Sequence, residues 1–307
     1  MKSKIGHACR PLLVALLLVA WGDAVSAPQR AGTGPAGRVR TLTILGEPNT
    51  VVWIDEIRRG TTDAAGTLAQ VRVFAGAHTL RARATGFKEL TMSVAAAQRN
   101  DIKLRLVRTA DRAELAFQQA ETARETARDD VARQQAADLY RRTLQLRPAF
   151  PAAHVGLARV LLDLNDTNEA LAEIEAARRD RAAYAEASAV EGRIYREMGQ
   201  TDEAVGSFNR SIRESRGFQP EAHVGIGRIY EDKGLYELAA REFQIAVDQL
   251  SDTEPIIYQW LGAAYEKSGN NRGAIAAYEN YLKLAPNGSL APAVRSIIEQ
   301  LKSPAPN

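Results

Sequence analysis

The sequence predicts an α+β multidomain protein, in which a small N-terminal β-sandwich precedes an all-α superhelix, a solenoid of helical hairpins. Three observations carry this prediction. One pattern recurs about every 34 residues through the C-terminal half. Short segments that alternate apolar and polar residues fill much of 38–108. The two parts also carry net charges of opposite sign.

The recurrence is centred on three tyrosines, Tyr195, Tyr230 and Tyr265, which stand 35 residues apart. Each has a glycine before it and another after it, and an alanine and an aromatic residue follow at fixed distances. These companions are Gly192, Gly199, Ala204 and Phe208 in one copy, Gly227, Gly234, Ala239 and Phe243 in the next, and Gly262, Gly269, Ala274 and Tyr278 in the last. A fixed period of this kind indicates a repeat architecture, whereas a generic alanine-rich bundle needs no such register.

The spacing predicts a pair of helices in each repeat. The first glycine and the tyrosine share one helix face. The second glycine, or Asn165 in an earlier copy, can adopt positive φ and end the first helix. Thr167, Thr201 and Asn271 follow as predicted N-caps of the second helix. The alanine lets the two helices approach, and neighbouring hairpins must stack because one hairpin cannot bury its own apolar face.

These columns resemble the tetratricopeptide repeat family. The best-matching residues are Tyr258, Leu261, Gly262, Tyr265, Ala274, Tyr278 and Pro286. The resemblance implies hairpins that start near 117, 151, 185, 220 and 255, with four full repeats at 149–286. Residues 109–148 are predicted to be a helical linker and a degenerate first repeat, and 287–307 a capping helix and tail. Whether 110–146 forms one helix or breaks at Asp129 stays open.

The N-terminus has the features of a secretory signal peptide at 1–27. Basic residues precede an apolar run that is too short to span a bilayer, and small residues end the segment. The alternative is an uncleaved N-terminal anchor. Cys9 lies within this segment, so the mature chain would lack cysteine and with it disulfides and thiolate metal sites. Residues 28–37 are predicted to be a flexible linker.

Residues 38–108 are predicted to form six or seven short strands. Four segments alternate apolar and polar residues, at 39–44, 68–73, 79–84 and 102–106. Glycines at Gly60, Gly66, Gly76 and Gly86 are predicted to mark the turns between strands. A region of this length suits a small β-sandwich.

The same region resembles the PEGA-type domain of bacterial envelope proteins. The resemblance lies in the runs at 52–55, 59–62, 76–80 and 86–88, although the Pro-Glu-Gly-Ala tetrad itself is absent and 46–49 stands near its place. The related carboxypeptidase-regulatory β-sandwich is an alternative. Either resemblance implies a non-catalytic extracytoplasmic module in a bacterium, and hence a protein of the periplasm or cell envelope.

Charge divides the chain. Residues 30–108 hold 13 basic and 6 acidic side chains, a net charge of +7, whereas residues 111–302 have a net charge of −6. A basic β-domain could favour an anionic envelope polymer, and this is the alternative function: a cell-wall or carbohydrate-binding anchor. The other interpretation is a solvated surface, because the cations need not share one face. Nucleic acid is not expected as a partner of an exported protein.

The sequence predicts no enzyme, no cofactor and no metal site. It contains none of the phosphate-binding, serine-hydrolase or zinc-protease motifs. His78, His154 and His223 are isolated, and the last two occupy the column of Tyr258, so we expect them to pack.

The predicted function is a non-catalytic scaffold that binds a protein or peptide on the concave face of the repeats, in assembly or tethering of an envelope complex. The candidate partner-binding residues are Arg159, Arg193, Arg228, Val155, Val224, Gln259 and Trp260. The arginines would grip carboxylates of a partner, with Trp260 as an apolar anchor. The competing interpretation is that each arginine pairs four residues on within its helix, with Asp163, Glu197 or Asp232, and that Trp260 only packs. The sequence predicts neither the partner's identity nor the oligomeric state.

Overall fold

The computed structural model describes residues 40–303, apart from 56, 74, 75, 100 and 251–253. The predicted signal peptide at 1–27 and the predicted linker at 28–37 lie outside the described residues. Within the described part, no helix combines the length and hydrophobicity that a bilayer crossing requires.

The part of the β-domain that the structure describes is a sandwich of seven strands. They are β1 (Arg40–Leu45), β2 (Val51–Ile54), β3 (Ile57–Thr61), β4 (Thr67–Val73), β5 (His78–Arg83), β6 (Leu90–Val94) and β7 (Ile102–Lys103). One sheet has the order β4-β1-β7 and the other β3-β2-β5-β6. Alternate residues of both sheets, such as Leu42 and Ile44 opposite Ile54 and Leu80, form one apolar core. The predicted sandwich is therefore confirmed.

One predicted turn is wrong. Gly60 lies inside β3 with φ of 145°, where the register between β2 and β3 shifts by a β-bulge. A bulge uses the conformational freedom of glycine as a turn does, so the sequence signal is the same. Gly66 and Gly86 do lie in turns at positive φ.

Within the described residues, ten helices form five antiparallel hairpins, and an eleventh helix follows them. The hairpins are α1 (Arg112–Thr126) with α2 (Asp130–Leu146), α3 (Pro151–Asp163) with α4 (Thr167–Asp180), α5 (Ala185–Glu197) with α6 (Thr201–Glu214), α7 (Pro220–Asp232) with α8 (Tyr236–Leu250), and α9 (Pro255–Lys267) with α10 (Asn271–Leu284); the last helix is α11 (Ala291–Lys302). The segment 110–146 is thus two helices. The Asp129 carboxylate caps α2 by accepting from the Ala132 N–H at 2.8 Å, and the first hairpin begins at Arg112, earlier than the predicted 117.

The turns inside the hairpins follow the predicted glycine rule. Gly199, Gly234, Gly269 and Asn165 have φ of 73°, 72°, 79° and 65°. The predicted N-caps are wrong by one residue, because Thr167, Thr201 and Asn271 are the first residues of their helices. The residue before each is the cap, and Asn270 accepts from the Gly273 N–H at 3.0 Å.

Aromatic rings of the second helices lie against glycines of the first helices. Phe208 is fully buried between two hairpins: a Cβ on Gly192 would come 2.6 Å from its ring, and one on Gly225 2.3 Å. Phe243 and Tyr278 lie in the same way against Gly227 and Gly262. The recurring small and aromatic residues therefore set how closely the helices stack.

The first helices of successive hairpins also contact one another directly. α1 contacts α3, α3 contacts α5 and α5 contacts α7, in addition to the contacts between consecutive helices. The first helices are thus closer to one another than the second helices are, and this puts the first helices on the concave side of the solenoid. We call the surface formed by α1, α3, α5, α7 and α9 the inner face.

Candidate functional site on the inner face of the solenoid

The three predicted arginines lie on the inner face, and the ion pairs of Arg159 and Arg193 run between repeats. Arg159 of α3 donates to Glu186 of α5 and lies 3.6 Å from Glu221 of α7. Arg193 of α5 lies 3.6 Å from the other oxygen of Glu221 and 3.7 Å from Asp163. The pairing four residues on within each helix is therefore not the one found.

Glu221 links two members of the arginine row. Its two carboxylate oxygens face Arg159 and Arg193, which come from two different repeats. Glu186 and Glu221 are themselves 35 residues apart, and each stands one residue into its helix. We call the set of five residues the ladder: Arg159, Glu186, Arg193, Glu221 and Arg228. The sequence analysis missed its two glutamates, although their recurrence at the repeat period was available as a signal.

The ion pairs between repeats do not continue at Arg228, the last arginine of the ladder. The residue that follows Glu186 and Glu221 in the same column is the apolar Ile256, which offers Arg228 no carboxylate. Its guanidinium instead donates to Glu231 of its own helix at 2.8 Å and lies 5.4 Å from the centre of the Trp260 ring. Its side chain is 37% exposed, against 20% for Arg159. Arg193 is nearly as exposed as Arg228, at 36%, so what distinguishes Arg228 is its contact with the Trp260 ring.

The other predicted site residues differ in accessibility. Val155 is only 1% exposed and packs in the core of the first hairpins. Val224 and Trp260 are half-buried against the cluster that contains Ile257 and Leu261. Gln259 is half-buried on α9. The structure therefore brings Val224 and Trp260 together and places Val155 elsewhere.

The β-domain lies against the inner face, a contact that the sequence analysis did not anticipate. Three side chains on one stripe of α1 bind it. The Gln118 amide donates to the Phe87 carbonyl at 2.7 Å and accepts from the Gly86 N–H at 3.0 Å. Glu121 accepts from Arg83 at 2.9 Å, and Glu125 lies 3.5 Å from Arg58.

Arg83 lies at the centre of this contact. It is 9% exposed, and its guanidinium lies over the rings of Trp53 at 5.1 Å and Phe117 at 4.9 Å. The Arg81 guanidinium also lies over the Trp53 ring, 4.2 Å from its centre. Trp53, Arg81 and Arg83 alternate with core residues on β2 and β5, so one face of the four-stranded sheet meets the solenoid.

The electrostatics of this contact favour the charged forms of both partners. Burial by itself raises the pKa of Glu121, but Arg83, Arg124 and the Tyr140 hydroxyl lower it to about 2. Burial likewise raises the pKa of Glu186, and Arg159 and then Arg81 lower it below its ordinary value. A β-domain arginine therefore adds to the field of the ladder.

The far end of the inner face holds the tip of the β2–β3 hairpin. Ile57 is 8% exposed and belongs to the apolar cluster of α8, α9 and α10 that includes Ile257 and Leu261. The next residue but one, Arg59, donates to the Leu250 carbonyl at 3.3 Å. The β-domain thus contacts both the first and the last repeats.

Known proteins share this repeat. The tetratricopeptide repeat matches residues 127–194, 189–255 and 256–287, which together span more than half of the chain. The chain belongs to the tetratricopeptide repeat family. No curated protein matches the sequence at a significant level.

Two solved structures share the tetratricopeptide fold. PilW, described as a widely conserved type IV pilus biogenesis factor, superposes with a TM-score of 0.52 at 13% identity, over 63% of this chain and 91% of PilW. The pilF protein of Pseudomonas aeruginosa gives 0.50 at 15% identity, over 62% of this chain and 88% of its own. At these identities the likeness concerns the fold alone.

The histidines of the tetratricopeptide repeats pair with glutamates. His154 of α3 faces Glu173 of α4 at 2.5 Å, and His223 of α7 faces Glu242 of α8 at 2.7 Å. Both pairs join the two helices of one hairpin. Among the described residues no cluster of His, Cys, Asp and Glu has the arrangement of a metal site.

Three further cations of the β-domain lie on the side of its three-stranded sheet. Arg72 of β4 is paired with Thr41 of β1, and Lys103 of β7 with Leu45. Both side chains are exposed, as is that of Arg105, and all three alternate with core residues. The cations of the β-domain therefore divide between two faces, of which one meets the solenoid.

Proposed function

We propose that this protein is an exported, non-catalytic scaffold that binds a protein or peptide partner on the inner face of its tetratricopeptide solenoid, in assembly or tethering of a bacterial envelope complex. Membership of the family supports the role in protein–protein interaction. Export is supported by the signal-peptide features of residues 1–27, and the envelope by the PEGA resemblance of 38–108. We also propose that this β-domain is of the PEGA type, for which its two small sheets are suitable.

The observation that carries the proposal is the open end of the ladder at Arg228 and Trp260. Arg159 and Arg193 pair with carboxylates of neighbouring repeats, whereas Arg228 pairs with Glu231 of its own helix and lies over the Trp260 ring. Arg228, Trp260, Val224 and Gln259 instead combine a half-exposed cation with a ring and an apolar neighbour. Anchor residues of protein interfaces have this composition.

The test starts from crosslinking and mass spectrometry on intact cells, which identify a partner and the surface it contacts. Trp260→Ala and Arg228→Ala should each weaken capture of that partner about tenfold or more, the loss typical of a hot spot. The matched control is Arg272→Ala, an exposed cation on the second helix α10. Capture that survives both substitutions unchanged would reject this site.

Alanine substitutions of Arg159 and Arg193 distinguish the two interpretations of the arginine row. If they serve the stacking of repeats, alanine substitutions lower the stability and leave partner affinity unchanged. If the arginine row grips the partner, the same substitutions reduce affinity at unchanged stability. Thermal unfolding and capture measured on the same preparations decide between these results.

A second candidate function is supported by the outer face of the three-stranded sheet. Arg72, Lys103 and Arg105 share that face and are exposed, which suits an anionic envelope polymer. A full-length variant with all three changed to glutamate should lose retention on purified bacterial cell wall at low salt. A triple change of Arg241, Arg272 and Lys283 on the solenoid is the matched control.

A further inference from the structure

We propose that the inner face of the solenoid is a binding site for a segment in which two cationic residues follow a branched aliphatic residue, and that the β2–β3 hairpin occupies this site as an internal ligand. The inference rests on the proposed function, because it names the class of partner that the inner face accepts. It also states that the partner must displace the β-domain.

The first argument concerns Ile57. The apolar core of the β-domain is formed by residues such as Leu42, Ile54 and Leu80, and Ile57 does not belong to it. Ile57 is nevertheless only 8% exposed, because it packs in the solenoid cluster that contains Leu250, Ile257 and Leu261. An aliphatic residue of the hairpin is therefore buried by the solenoid, as an interface anchor is buried by its partner.

The second argument concerns the place of this contact. Val224 and Trp260, the two apolar residues of the proposed partner site, pack against the same cluster as Ile57. The hairpin and an external partner would therefore compete for the same surface. A partner can bind only the fraction of molecules in which the hairpin has left.

The third argument concerns charge. Of the β-domain arginines at this contact, Arg58 belongs to the hairpin, whereas Arg81 and Arg83 belong to β5. Arg58 lies 3.5 Å from Glu125 of α1, so the hairpin reaches from the first helix of the solenoid to the apolar cluster of α8 and α9. A segment that replaces the hairpin must supply a cation near Glu125, because otherwise this carboxylate loses its partner.

Backbone contact completes the recognition. Arg59 donates to the Leu250 carbonyl at 3.3 Å, across 191 residues of sequence. The sequence Ile57-Arg58-Arg59 thus provides an apolar anchor, a cation for a carboxylate and a donor for a helix-end carbonyl. An acidic peptide offers none of these cations, so we expect it to be excluded.

The experiment uses the full chain and a labelled, backbone-cyclised peptide that reproduces residues 51–61. Ile57→Asp should release the hairpin, because it places a charge in the apolar cluster. If the closed form holds about 99% of wild-type molecules, release raises the apparent peptide affinity about 100-fold in fluorescence anisotropy. Hydrogen exchange in α9 should accelerate in the same variant, because its cover is removed.

Two kinds of control accompany this measurement. Arg99→Asp changes the charge of the β-domain at an exposed residue between β6 and β7 and should bind the peptide as the wild type does. A peptide with Ile57→Asp, and one with both arginines changed to glutamine, should bind the opened protein at least about tenfold more weakly. The double variant Arg58→Glu and Arg59→Glu opens the protein without touching the apolar residue and serves if Ile57→Asp does not fold.

Equal peptide affinity for the wild type and both opened variants would overturn the internal-ligand role. Failure of the peptide to bind any opened variant would overturn the partner class. The proposed function is tested separately by Trp260→Ala. Partner capture that depends on Trp260 but is the same in the wild type and in Ile57→Asp retains the scaffold and rejects the inference.

Discussion

Arg83 of the β-domain and Glu121 of the solenoid form an ion pair of 2.9 Å that joins the two domains. The Glu121 carboxylate also accepts from Arg124 at 3.3 Å and from the Tyr140 hydroxyl of the neighbouring helix. One carboxylate therefore binds the β-domain and both helices of the first hairpin. Removing one member of such a buried network leaves the others unpaired.

The pKa of Glu121 predicts how stability depends on pH. Burial raises this pKa, but Arg83 and Arg124 lower it from 4.5 to about 2. A lowered folded-state pKa contributes stability that is present above about pH 4.5 and is lost as the pH falls towards about 2. A difference of this size corresponds to about 3 kcal/mol of unfolding free energy.

Glu121→Gln tests this expectation by urea denaturation from about pH 7 to about pH 2. The wild type should be the more stable protein at neutral pH, and the difference should vanish at the acidic end. Glu175→Gln, an exposed carboxylate of α4, is the matched control. A constant difference between wild type and Glu121→Gln at every pH would contradict the assignment.

Two glycines of adjacent helices should respond to alanine in opposite ways. A Cβ on Gly225 would lie 2.3 Å from the Phe208 ring, whereas nothing lies within 4 Å of a Cβ on Gly206 in α6. Gly225→Ala should therefore lower the unfolding free energy by about 1–3 kcal/mol through overpacking. Gly206→Ala should raise it by about 0.5–1 kcal/mol, since alanine favours the helix. Urea denaturation of the two variants measures both, and a loss at Gly206 would contradict the packing argument.

The repeat could be predicted from the sequence because its physical requirements recur. A glycine at positive φ, such as Gly199, and a ring against a helical glycine, such as Phe208 on Gly192, are needed in every hairpin. Each copy therefore supports the others, and five hairpins with a final helix follow from one pattern. The N-caps were predicted one residue too late, because moving every cap by one residue leaves the period of the repeat unchanged.

The docking of the β-domain could not be predicted in this way. Ile57 and Arg83 occur once, and their partners belong to different repeats far along the chain. The basic charge of the β-domain was interpreted as a site for an anionic polymer or as a solvated surface, and not as a contact with the solenoid. The stripe of Gln118, Glu121 and Glu125 on α1 is a polar pattern that a solvated helix would share.

His154 should make the solenoid less stable as the pH rises. Its two ring nitrogens face the Glu173 carboxylate at 2.5 Å and the Pro148 carbonyl at 2.9 Å, and only the protonated ring donates to both. Burial lowers the pKa of His154, but these two acceptors raise it above its ordinary 6.5. The stabilisation is complete below about pH 6.5 and is lost as the pH rises through the raised folded-state pKa.

The comparison of wild type with His154→Gln over about pH 5–9 checks this sign. The melting temperature of the wild type should exceed that of the variant most at the acidic end, and the two should converge at the alkaline end. Histidine resonances in NMR titrations give the pKa directly. A pKa of His154 below that of an unfolded peptide would contradict the prediction.

Glu221 offers the sharpest test of the ladder, because it holds two arginines at once. Glu221→Gln removes the charge between Arg159 and Arg193 and leaves two cations without their shared partner. The unfolding free energy should fall by about 0.5–1 kcal/mol, because both ion pairs are partly exposed to solvent. In a double-mutant cycle with Arg193→Gln, the second substitution should cause a smaller loss in the Glu221→Gln background than in the wild type. Additive losses would mean that Glu221 and Arg193 do not interact.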